Sequence, residues 1–177
     1  MFPNHVLNEV ARCQFLIEKS TLSLAGEYAV ASELCKRGFY AQVTLGNLKQ
    51  SDLLVYQREP DRKFGLRLIV EVKSKQGRVW PAIKGISGSD TLLVFVDFEK
   101  KKPLERPDFY VLNVGDWRRY INKYIRPLGR REVRIDKDYC PHFKGHRGKQ
   151  PYERFVGTSV KPDQVLNSKE AWKKFNF

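Results

Sequence analysis

The stretch Leu68-Ile69-Val70-Glu71-Val72-Lys73 decides how this chain is read. It is an apolar run that ends in a carboxylate and an ammonium, and it reads as a β-strand. Side chains alternate across a strand, so Leu68, Val70 and Val72 line one face while Ile69, Glu71 and Lys73 line the other. A second apolar run, Asp52-Leu53-Leu54-Val55-Tyr56, carries a further carboxylate at its start. Two neighbouring strands that bring Asp52 and Glu71 together beside Lys73 can hold a divalent cation next to a water-orienting lysine. That is the outline of a site for phosphodiester hydrolysis.

Outward from these strands, residues 5–37 read as helical, with a break near Ser20-Thr21. Leu24, Ala25, Tyr28, Ala29, Ala31, Ser32 and Cys35 recur at helical spacing, and Glu27 lies beside this stripe. Lys36 and Arg37 suit a helix C-terminus, and Gly38 can stop it in a left-handed cap. Phe39–Leu45 is a strand, Gly46-Asn47 a turn, Ser51–Gln57 a second strand and Leu66–Lys73 a third, after a polar connection from Arg58 to Gly65. Ser74–Val79 leads away from the site, and residues 82–89 read as a weak helix or loop. Thr91–Asp97 is nearly all apolar and is expected to be a central strand buried on both faces. Asp108–Val114 is a fifth strand. Asp116 is expected to cap a helix running to about Ile125, with Trp117, Tyr120, Ile121 and Tyr124 along one face. A last helix is expected from Ser168 to Phe175, with Trp172 and Phe175 as packing anchors. The order is that of an α/β fold with a mixed central sheet flanked by helices. Residues 1–125 form its core and residues 126–177 a basic extension packed on that core, one domain overall.

At 177 residues the chain is large enough for a proper core. No apolar run approaches the roughly 20 residues of a membrane span, so no membrane partner is expected. The N-terminus lacks the basic-then-apolar pattern of a secretory signal. Cys13, Cys35 and Cys140 are odd in number and widely spaced, which argues against a disulfide framework and for a reducing, cytoplasmic compartment. The net charge is +13 and uneven, about +1 over residues 1–72 and about +12 over residues 73–177. Such a field favours a polyanion, most plausibly nucleic acid. There is no Walker A pattern, no dinucleotide glycine fingerprint and no Gly-x-Ser-x-Gly, so ATP-driven and serine-hydrolase chemistry has no support.

The pattern Ser51-Asp52, then eighteen residues, then Glu71-Val72-Lys73, preceded by a helix carrying Gly26-Glu27-Tyr28-Ala29-Val30, resembles the PD-(D/E)XK nuclease superfamily. The likeness spans residues 21 to 114, with Ser51 where that pattern has proline. It implies a restriction-endonuclease-like αβββαβ core and a metal-dependent deoxyribonuclease using Mg²⁺ or Mn²⁺ and leaving a 5′-phosphate. The catalytic residues would be Glu27, Asp52, Glu71 and Lys73. Asp52, Glu71 and the backbone carbonyl of Val72 would hold the metal, Lys73 would orient the attacking water, and Glu27 would hold a metal-bound water. Gln76 and Lys75 are weaker candidates for phosphate contact, Lys75 being otherwise a solvated charge. Some members of the superfamily have lost catalysis, so a nucleic-acid-binding or adaptor protein of the same fold stays open, as does an RNA-directed nuclease.

Taken singly, each residue has a plainer reading: Asp52 as a strand-end acceptor, Glu71 and Lys73 as an exposed cross-pair. Their joint placement favours the metal site. Binding of DNA would fall to Arg118, Arg119 and Lys123 on the polar side of the helix, then Arg130 and Arg131, then Lys144, Arg147 and Lys149, with interleaved aromatics for stacking. Cys140, His142 and His146 form Cys-x-His-x₃-His, one ligand short of a structural zinc site. Cutting both strands of a duplex with one site per chain is easiest as a homodimer.

Overall fold

The computed structural model describes residues 16–44, 51–58, 63–129, 131–144 and 155–175. Helix α1 (Lys19–Lys36) starts where the Glu18 carboxylate accepts the N–H groups of Ser20 and Thr21 at 2.9 and 3.2 Å. The expected break at Ser20-Thr21 is therefore a capped first turn, and the helix runs through it. Its buried face is Leu22, Gly26, Val30, Ala31, Glu33 and Leu34, whereas Leu24, Tyr28 and Cys35 of the expected stripe are exposed. Glu33 explains the rotation. Its carboxylate is buried against Arg37 (2.7 Å), Lys36 (3.0 Å) and Arg106 (3.0 Å), and Arg106 also grips Glu170 through two 2.9 Å bonds. The hydrogen bond from Arg106, aided by those from Arg37 and Lys36, outweighs burial and holds the Glu33 carboxyl down at about 2.

The central sheet is built from β1 (Tyr40–Val43), β2 (Leu53–Arg58), β3 (Phe64–Lys75), β5 (Thr91–Asp97) and β6 (Asp108–Asn113), in the order β1-β2-β3-β5-β6. Pairing is antiparallel except for β3 and β5, which run parallel, so the fold is α/β with a mixed sheet. Every residue of β5 is buried, as its apolar run leads one to expect. Leu92, Val94 and Val96 join Leu68, Val70 and Val72 of β3 in a core that also holds Val30 and Leu34 of α1. Leu93 and Phe95 point into a second core with Trp80, Trp117, Tyr120 and Val160. Each such fully buried Val or Leu stabilises the fold by about 1.5–3 kcal/mol relative to exposure.

Of the two readings of residues 82–89, the loop holds for 84–89 and the helix does not form. Trp80–Ile83 is a strand, β4, paired antiparallel with β10 (Thr158–Val160), and no helix occurs among the described residues 76–90. Ala82 (φ +54°) and Gly85 (φ +89°) adopt left-handed backbone that breaks a helix. Gly85 is also wedged against Trp117, whose Nε1 would lie 1.9 Å from an added Cβ. After β6, α2 (Val114–Tyr120) is capped by Asn113 rather than Asp116. The Asn113 side chain accepts from the Asp116 N–H at 2.9 Å, and Asp116 returns a bond to the Asn113 N–H at 3.0 Å. The helix then widens into a π turn over Ile121–Ile125. β7 (Val133–Ile135), β8 (Pro141–Phe143) and β9 (Phe155–Val156) form a small antiparallel sheet. The last expected helix is replaced by 3₁₀ turns at Pro162–Ser168 and Trp172–Phe175. Trp172 and Phe175 are packed into the α1-side core, with the Arg37 guanidinium 4.5 Å above Trp172. No helix among the described residues is long and apolar enough to cross a membrane. The expected turn at Gly46-Asn47 lies outside the described residues.

Gly26 sets the distance between α1 and β3. A Cβ there would lie 1.8 Å from Ser74 Oγ and 3.1 Å from Ser74 Cβ. Ser74 Oγ is itself buried without a hydrogen-bond partner among the described residues. An alanine in mid-helix gains about 1 kcal/mol of propensity over glycine, but forced overpacking costs about 1–3 kcal/mol. Gly26→Ala should therefore lower unfolding free energy in chemical denaturation. Ser74→Ala, which removes the unpaired hydroxyl, should raise it by about 1 kcal/mol, and in the double variant most of the Gly26→Ala loss should vanish. A Gly26→Ala protein as stable as the parent would contradict this packing.

Candidate active site

Asp52 is fixed before β2 begins. The Asp52 carbonyl accepts the Thr44 N–H and the Asp52 N–H donates to the Val70 carbonyl, both at 3.0 Å, so the ladders on both sides reach it. The Thr44 hydroxyl donates to the Ser51 carbonyl at 2.6 Å. Leu53 pairs with Val70, which sets Asp52 beside Glu71 on the neighbouring strand. Asp52 Oδ2 then accepts the Val72 N–H at 2.6 Å, tying the carboxylate to the backbone of β3.

Lys73 Nζ lies 3.6 Å from Asp52 Oδ2 and 3.8 Å from Glu71 Oε2, so one ammonium serves both acids. Of the three side chains Glu71 is the most enclosed, at 18% exposure against 29% for Asp52 and 40% for Lys73. Burial pushes the Glu71 carboxyl above the ordinary range and the Asp52 charge adds to this, while Lys73 and Lys84 oppose it. Glu27, reaching in from α1 with the Ser23 hydroxyl 3.4 Å away, is raised by burial and then by Asp52, with Ser23 and Lys73 opposing. Lys73 thus draws Asp52 and Glu71 together, while Glu27 on α1 is close enough to feel the charges of Asp52 and Lys73.

The donor set consists of oxygens, which suits a hard cation such as Mg²⁺ or Mn²⁺. Asp52, Glu71 and the Val72 carbonyl would suffice as the protein's share of such a site, because Mg²⁺ sites normally leave several positions to water and substrate. The ligand oxygens of Glu27, Asp52 and Glu71 are not all within 4.8 Å of one another.

Lys75 corrects the sequence reading. It is neither solvated nor turned to a phosphate: its side chain is 2% exposed, paired with Asp97 at 2.7 Å and Glu99 at 3.0 Å and set 4.9 Å over the Trp80 ring. Gln76 uses its side-chain oxygen to accept the Ile17 N–H at 2.9 Å, fastening the segment before α1. Arg118, Arg119, Lys123, Arg131 and Lys144 are exposed. Arg118 lies 4.9 Å over Tyr139, Arg119 pairs with Asp116, and Lys123 lies 5.1 Å over Tyr124. Arg130, Arg147, Lys149 and His146 lie outside the described residues.

A cleft of about 440 Å³ opens beside Glu71, with Ser51, Lys84, Asp136, Cys140 and His142 also on its walls. Lys84 and Asp136 escape a sequence reading. Lys84 sits in the glycine-bearing segment that shows no clear periodicity, and Asp136 reads as one more charge in the run Asp136-Lys137-Asp138. A scan against family models, a search of curated proteins and a search of solved structures each found no match.

A carboxyl-resolved NMR titration should find Glu27 and Glu71 titrating above the ordinary value of 4.5. In Asp52→Asn the neighbouring negative charge is gone, so both should move down. Values that do not respond to Asp52→Asn would mean the three acids do not share one electrostatic site.

Proposed function

We propose that this chain is a metal-dependent nuclease that hydrolyses phosphodiester bonds in DNA with Mg²⁺ or Mn²⁺. The observation that carries the proposal is the shared ion pairing of Lys73 with Asp52 and Glu71, at 3.6 and 3.8 Å, beside an open cleft. Asp52, Glu71 and the Val72 carbonyl would hold the ion. When bound, such an ion polarises the scissile phosphate and makes a water more acidic. Lys73 orients the attacking water and stabilises charge that develops on the phosphate oxygens. Glu27, whose carboxyl is raised by burial and by Asp52, would hold a metal-bound water. Lys84 on the cleft wall offers a cation to a neighbouring phosphate. The surplus of positive charge after residue 72 and the exposed Lys123, Arg131 and Lys144 favour a polyanionic substrate. With one site per chain, cutting both strands of a duplex is easiest for a homodimer.

Purified protein incubated with supercoiled, linear and single-stranded DNA should cut in Mg²⁺ or Mn²⁺ and stop in EDTA. Lys73→Ala should lose about 10²–10³ in rate, the typical cost of removing one preorganised donor, and Asp52→Ala should lose cleavage while keeping the parent circular dichroism spectrum. Cleavage that survives EDTA, or equal rates for both variants, would overturn the assignment. RNA cut in preference to DNA would overturn the choice of substrate.

A further inference from the structure

The turn that joins β7 to β8 brings three different donors together. The nearest ligand atoms of Asp136 (carboxylate oxygen), Cys140 (Sγ) and His142 (ring nitrogen) all lie within 4.8 Å of one another, and each residue is partly accessible. We propose that Asp136, Cys140 and His142 form a second metal site, separate from Asp52 and Glu71, for a borderline divalent ion of the Zn²⁺ class. Its open coordination position would face the cleft that Glu71 also lines.

The donor chemistry is selective. A thiolate and an imidazole favour Zn²⁺ and similar ions over Mg²⁺, which prefers oxygen throughout. Tetrahedral Zn²⁺ with bonds of about 2.0–2.3 Å sets its ligand atoms roughly 3.3–3.8 Å apart, so the three side chains need only small movements to close on an ion. Three protein ligands with the fourth position left to water or an anion is the arrangement of an open zinc site.

The turn is built so that these donors stay together. One oxygen of Asp136 accepts the N–H groups of Asp138 and Cys140, both at 2.9 Å, and the other meets His142 Nε2 at 2.9 Å. The Asp136 N–H donates to the Cys140 carbonyl at 3.1 Å, closing the loop across its base. Tyr139 holds a left-handed backbone at φ +60°, a conformation that costs a non-glycine residue energy and needs support. Support comes from α2: Trp117 Nε1 donates to the Tyr139 carbonyl at 3.1 Å and the Arg118 guanidinium covers the Tyr139 ring. His142 is held in β8, opposite Arg134 on one side and Val156 on the other. The hydrogen bond between His142 and Asp136 would be exchanged for two metal bonds. The Asp136 oxygen that takes the two N–H groups would keep its role as an outer brace.

The test is titration of the metal-free, full-length protein with Co²⁺, followed by visible and near-ultraviolet absorption. One equivalent of Co²⁺ should give a thiolate-to-cobalt charge-transfer band together with the visible bands of a low-coordinate ion, and Zn²⁺ should displace it while excess Mg²⁺ does not. Cys140→Ser should abolish the charge-transfer band, whereas Cys13→Ser and Cys35→Ser should keep it. Losing only an outer-shell partner costs about 10–100-fold in metal affinity, so His142→Ala and Asp136→Asn should weaken binding at least that much. Circular dichroism of each variant without metal checks that the fold persists. Asp52→Ala should retain the band, so this outcome is independent of the nuclease reading. No charge-transfer band in the parent, or a band that survives Cys140→Ser, would overturn the proposal and leave Asp136–His142 as a hydrogen-bonded turn.

Discussion

Like charges on adjacent strands repel, and this chain fixes two of them side by side. Asp52 cannot swing away, because its carboxylate is bonded to the Val72 N–H and its backbone to strands on both sides. Glu71 cannot escape into water, because it is largely enclosed. Lys73 answers both charges but is itself substantially exposed, so solvent weakens its pull. Burial, with the Asp52 charge added to it, leaves Glu71 and Glu27 holding their protons more tightly than usual. A divalent cation is the natural complement to such a cluster. The same strand meets a second, different demand two residues on, where Lys75 is buried and answered fully by Asp97, Glu99 and the Trp80 ring. One face of β3 therefore grades from an under-neutralised open end to a neutralised, sealed one.

That gradient follows from what covers the sheet. On the α1 side, α1 and the chain end, through Trp172 and Phe175, share one continuous core. On the other side Trp80, Trp117, Tyr120 and Val160 cover Leu93 and Phe95, while Glu71 stays on the wall of a cleft. The far wall of that cleft comes from the β7–β8 turn, positioned by Trp117 and Arg118. The C-terminal half thus shapes the cleft as well as adding positive charge.

How much of this is legible in the sequence depends on the range of the forces involved. Alternation along Leu68–Lys73 and the unbroken apolar run Thr91–Asp97 report burial directly, so the strands and the approach of Asp52 to Glu71 can be read from them. The buried face of α1 cannot. It is set by Gly26 meeting Ser74 and by Glu33 meeting Arg106, pairs far apart in sequence that break the rule of apolar inside and charged outside. Lys75 misleads for the same reason, since its two acids arrive from β5 and the turn after it. The strand at Trp80–Ile83 is hidden because its partner, β10, lies near the other end of the chain. Asp136 is hidden because a left-handed Tyr139, rather than any spacing rule, folds Cys140 back against it.

Manganese is the most direct probe of the central pairing, because its unpaired electrons broaden NMR signals only near where it binds. In a backbone amide spectrum of the full-length protein, substoichiometric Mn²⁺ should broaden residues around Asp52 and Glu71–Lys73, and combined Asp52→Asn and Glu71→Gln substitution should abolish that effect. Broadening that is absent there, or that persists unchanged in the double variant, would contradict the account of these two carboxylates as a cation site.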